Sequence, residues 1–120
     1  MDIGCLVNAD TAEALVATVY RTTTPWERLR GLLGRVPLGA GEGLLLDPCS
    51  GVHTVMMRYP IDLVYLSRDL RVIKVVGKLV PWRCSMAFGA AMTLELAAGA
   101  AADRGIERGQ DLAWRPLGEL

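Results

Sequence analysis

Long apolar runs, net charge and paired cysteines are what this sequence lacks, and histidine occurs once; each scarcity narrows the classes of function. Although 52% of the 120 residues are hydrophobic, no stretch approaches the ~18 consecutive apolar residues of a membrane helix, so no membrane span is expected. Thirteen Lys and Arg residues cancel thirteen Asp and Glu residues. No long-range field then draws the chain onto nucleic acid or an anionic membrane, and neither is expected as a partner. The opening Met1-Asp2-Ile3-Gly4-Cys5 puts an acid where a secretory signal carries lysine or arginine, and no apolar core follows it, which predicts a cytoplasmic protein. Cys5, Cys49 and Cys84 are odd in number, far apart and without a Cys-x-x-Cys spacing. They indicate neither a disulfide framework nor structural zinc, and are read as buried or idle thiols. Without a phosphate-cradling glycine loop or a dinucleotide fingerprint, no cofactor is expected either.

What is there is a rhythm of short apolar runs broken every ten or so residues by Gly, Pro, Asp and Asn. With no repeat or linker to divide it, the chain is expected to form one domain over residues 1–120. The pattern predicts a mainly β fold, a small antiparallel sandwich or distorted barrel with one short capped helix packed on one side. Expected strands are Ile3–Val7, Leu15–Tyr20, Gly43–Leu46, Val52–Met57, Ile61–Leu66, Val72–Gly77, Ala91–Leu96 and Leu112–Arg115. The fifth and sixth form a hairpin through Ser67-Arg68-Asp69. Thr24-Pro25-Trp26-Glu27 supplies an N-cap hydroxyl, a proline for the first helical position and the glutamate of a capping box, predicting a helix from Pro25 to about Leu33. Its apolar face would be Trp26, Leu29, Leu32 and Leu33, and Gly34 would end it. A second helical turn is expected from Ala100 to Arg104, stopped by Gly105.

Asp62 interrupts an apolar strand, where a carboxylate is costly unless compensated. A guanidinium, from Arg58 or Arg28, or at least two backbone amides should meet it. Glu95, between Leu94 and Leu96, raises the same question, since alternation turns it away from both leucines. If Glu95 and Asp62 shared a pocket they could act as acid and base. His53 is the only histidine, so imidazole chemistry at neutral pH would have to use it. Cys49, His53, Met56 and Met57 fall within nine residues, with Cys84 and Met86 further on, a donor set that suits Cu(I). Methionines filling core gaps account for it more simply, and no metal is expected. Trp82, between Pro81 and Arg83, should be partly exposed and could stack on a ligand, whereas Trp26 belongs to the buried helix face.

Several blocks in order carry a resemblance. They are Arg28-Leu29-Arg30-Gly31-Leu32 with Arg35, Gly41 to Leu46, His53 through Leu66, Leu94-Glu95-Leu96 with Gly99, and Gly105-Ile106 with Gly109 and Asp111-Leu112. Together, over residues 27–112, they resemble domain-of-unknown-function family 192 of bacteria and archaea. The sequence departs from that pattern at Val55-Met56, Ser67 and Ala97, none of them a charged position. The resemblance implies a mostly antiparallel β domain with a helix against one side, and no established reaction. The leading expectation for function is a binding or accessory module whose polar cleft is built from His53, Arg58, Asp62, Glu95, Arg28 and Trp82. Its partner would be a small polar ligand or a protein. The alternatives are a small hydrolase or lyase using Asp62 and Glu95 on a polar or carbohydrate-like substrate, and an assembly factor for a cell-surface or secretion apparatus.

Overall fold

Three central strands of the structure are apolar at nearly every position because both of their faces are covered. The computed structural model describes residues 1–32 and 37–117. Its elements are β1 (Asp2–Asn8), β2 (Ala14–Arg21), α1 (Pro25–Arg30), β3 (Glu42–Leu46), β4 (Gly51–His53), β5 (Ile61–Leu66), β6 (Val72–Leu79), β7 (Cys84–Met86), β8 (Met92–Ala97), α2 (Ala100–Asp103) and β9 (Leu112–Pro116). Seven strands form one curled sheet in the order β6-β5-β8-β3-β2-β1-β9, and β4 pairs with β7 in a separate two-stranded ribbon. Every neighbouring pair is antiparallel except β2 and β3. A parallel pair needs a crossover, and α1 lies within that one.

The expected mainly β fold is therefore present, as a half-barrel rather than a closed barrel or a two-sheet sandwich. On one face Leu45, Val64, Leu66, Leu94 and Leu96 pack with Leu6, Val16 and Val19 and with Ala100 and Ala101 of α2. On the other, Leu44, Leu46, Ile61, Leu63 and Tyr65 pack with Leu32, Met57 and Ala87. Each fully buried leucine among them contributes about 1.5–3 kcal/mol relative to exposure.

Three local expectations need correction. The helix ends at Arg30, because Gly31, at φ +52, leaves the helical region and caps it; Leu33, Gly34 and Arg35 lie outside the described residues. Trp26 and Leu29 do not form a buried face, being 79% and 73% exposed, and among the described residues of the expected face only Leu32, beyond the last turn, enters the core. The strand expected over Val52–Met57 stops at His53. Thr54 follows it fully buried, its hydroxyl donating to Val80 O at 2.7 Å and accepting from Arg83 N at 2.8 Å. A side chain that takes over backbone partners in this way ends the ladder. Strand β7 was not expected, since three residues are too few to show alternation.

Candidate functional site

A cleft of about 450 Å³ opens on the Tyr65 side of the sheet, between the end of α1 and the β4 ribbon. The capping box fixes α1: Thr24 Oγ1 accepts from Glu27 N at 3.2 Å, and Glu27 Oε1 accepts from Thr24 N at 3.2 Å. Satisfying these orphan amides sets where the helix starts, and its far end brings Arg28, Gly31 and Leu32 to the cleft wall. The opposite wall carries Cys49, His53 and Met57, while Leu46, Ile61 and Glu95 come from the sheet.

Glu95 is the unusual member. Strand register places it directly between Leu44 of β3 and Leu63 of β5, near the middle of the sheet, and it is only 3% exposed. Its charge is felt nearby. Burial first, then the Glu95 carboxylate, pushes the Tyr59 phenol above its ordinary range. Tyr65 is likewise raised, mainly by burial, with Cys49 and Glu95 adding to it and Ser85 pulling the other way. No hydrogen bond of ordinary geometry reaches the buried Tyr65 hydroxyl among the described residues.

Of the six residues expected to form a site, the fold brings together His53, Arg28 and Glu95. Arg58 and Trp82 are exposed and stand outside the cleft. Asp62 lies on the other face of the sheet, because it pairs with Leu96 while its neighbour Leu63 pairs with Glu95. An acid and base pair of Asp62 with Glu95 in one pocket is thus ruled out by register.

The carboxylate of Asp62 is compensated, among the described residues by backbone amides rather than by an arginine. Its Oδ1 accepts from Lys78 N at 2.8 Å and Gly99 N at 3.0 Å, and its Oδ2 accepts from Ala101 N at 2.9 Å. Gly99 is the N-cap of α2 and offers no side-chain cap, so Asp62 supplies one from β5. The Lys78 bond occurs where the pairing of β5 with β6 shifts register between Ile61 and Leu63.

Sequence reasoning did not single out Gly31, Cys49 or Met57 as cleft residues. Gly31 had a signal, its place in the Arg28 to Leu32 block. Trp114 packs against the core with Arg21 5.4 Å from its ring centroid.

The family model of DUF192, described as "Uncharacterized ACR", matches residues 6–114. The chain belongs to DUF192. No curated protein matches it. Two solved structures share the DUF192 chain's fold. One, from Sinorhizobium meliloti and described as a candidate transcription regulator, is 22% identical with a TM-score of 0.79, covering 94% of this chain and 92% of its own. The other, a protein of unknown function from Novosphingobium aromaticivorans, is 23% identical with a TM-score of 0.72, covering 93% and 84%. DUF192 itself is a family of unknown function, and no helix among the described residues is long and apolar enough to cross a membrane.

Proposed function

We propose that this DUF192 chain is a binding module whose ligand occupies the cleft between α1 and β4, over Glu95. The observation that carries the reading is convergence. Three separate blocks of the family resemblance meet at this one place, through Arg28, Gly31 and Leu32, through His53, Met57 and Ile61, and through Glu95. A cleft of a few hundred Å³ with apolar walls and a few polar groups is the usual form of a small-molecule site. Leu46, Val52, Met57 and Ile61 make this one more apolar than a purely polar cleft. The fitting ligand is small, with an apolar body and one polar end, accepting from Arg28 or His53 and donating to Glu95. Binding is favoured over hydrolysis because the two carboxylates a hydrolase would need lie on opposite faces of the sheet.

A protein partner is the second reading, favoured by the exposed Trp26 and Leu29 on α1. A thermal-shift screen of small carboxylic acids, amines and sugars tests the first. A compound that stabilises the parent chain and fails to stabilise Glu95→Gln and Arg28→Ala supports the cleft, while compounds that stabilise all three equally point elsewhere.

A further inference from the structure

The soft donors noticed in the sequence are not used as core filler in the same way. Met57 is buried in the core, but Met86 is 60% exposed and Cys84 is exposed as well. Gap filling does not explain those two, and an exposed thiol is a liability that a packed position would have avoided.

The register of the small ribbon shows what they share. His53 pairs directly with Cys84, Val52 with Ser85 and Gly51 with Met86. Val52 packs against the core cluster that holds Tyr65, so the alternate residues His53, Cys84 and Met86 share the solvent face. Directly opposite residues on one face bring their Cβ atoms within about 4.5–5.5 Å, within reach for an imidazole and a thiol sharing one ion. Met86 stands two residues from Cys84 on that face and opposite Gly51, which has no side chain to crowd the thioether.

The ribbon is also held in place, as a preorganised site requires. Thr54 N donates to Arg83 O at 2.8 Å at one end, and Ala87 N donates to Ser50 O at 3.0 Å at the other. Among the described residues no group of three or more His, Cys, Asp and Glu side chains gathers to hold a metal. The set that the register brings to one face of the ribbon contains a thioether. Thiolate, thioether and imidazole together select a soft monovalent ion and are a poor set for magnesium or calcium.

We propose that His53, Cys84 and Met86 form a Cu(I) site on the outer face of the β4–β7 ribbon. Coordination releases the Cys84 thiol proton to solvent, and the ion stays Cu(I), so no oxidant or reductant takes part. The site shares His53 with the ligand cleft, whereas Cys84 and Met86 do not line the cleft.

The test is anaerobic titration of the full chain with Cu(I) against a chromophoric Cu(I) chelator. One Cu(I) per chain is expected. Cys84→Ser and Met86→Leu should each weaken binding at least about tenfold, the lower bound seen even for outer-shell partners. Met56→Leu, at an exposed methionine outside the β4 and β7 strands, should bind as the parent does. All three positions are exposed, and far-UV circular dichroism verifies that each variant is folded. A parent chain that takes up no Cu(I), a ratio of one copper to two chains, or a Cys84→Ser or Met86→Leu variant with the parent's affinity overturns the proposal.

Discussion

The Oε1 atom of Glu95 lies 3.2 Å from where a Cβ would stand on Gly31, whose φ of +52 and ψ of −128 already exclude most side chains. Helix end and buried carboxylate are therefore closely fitted, and a methyl group at Gly31 would need the carboxylate to give by a few tenths of an ångström. Gly31→Ala is expected to cost about 1–3 kcal/mol from the backbone conformation alone. Urea denaturation measures it, and a midpoint equal to the parent's would show that this contact is not constrained.

Asp62 makes a second prediction. Asp62→Asn keeps one acceptor oxygen but turns an amide N–H₂ toward one of the backbone N–H groups of Lys78, Gly99 or Ala101. Hydrogen bonds to a charged group are each worth about 1.5–3 kcal/mol, so a loss of roughly 3 kcal/mol is expected. Ligand uptake at the cleft should be unchanged in the fraction that remains folded, because Asp62 is 1% exposed and on the opposite face. Parent-like unfolding of Asp62→Asn would contradict the clasp.

Glu27 links the capping box to pH. The Thr23 backbone N–H, and after it the Met1 amino group, hold its carboxyl at about 2, below its ordinary 4.5. A depressed carboxyl stabilises the folded state above its unfolded value and loses that contribution as protons bind to the folded form. The α1 cap should therefore be intact above pH 4.5 and weaken as the pH falls toward 2. A carbon-detected NMR titration of Glu27 reads this directly, and a midpoint near 4.5 would show the box open in solution.

Much of the fold was legible because each signal was local. The hairpin of β5 and β6 was marked by β-branched residues on both sides of a polar turn, and α1 by Thr24, Pro25 and Glu27 at its start. The opposite-face placement of Asp62 and Glu95 was not legible, because it depends on the pairing of Leu63 with Glu95, thirty-odd residues apart in the chain. The need for compensation at Asp62 could be seen from its apolar neighbours, but the identity of its partners could not. Gly99 and Ala101 reach it only once α2 has docked. Trp26 misled for a related reason: an apolar stripe predicts burial only if something covers it, and none of the α1 residues is buried. At the cleft, His53, Arg28 and Glu95 could be named singly, and only the crossover of α1 beside β3 joins them.

The cleft is the central claim, and amide chemical-shift mapping with a fragment library of small acids and amines on the isotope-labelled chain tests it most directly. The account predicts that binding fragments shift the amides of Gly31, His53 and Glu95 together, and that Glu95→Gln abolishes those shifts while its spectrum remains that of a folded protein. Shifts confined to the shallow surface around Lys74, Phe88 and Arg108, with the Gly31 and Glu95 amides unmoved, would contradict it.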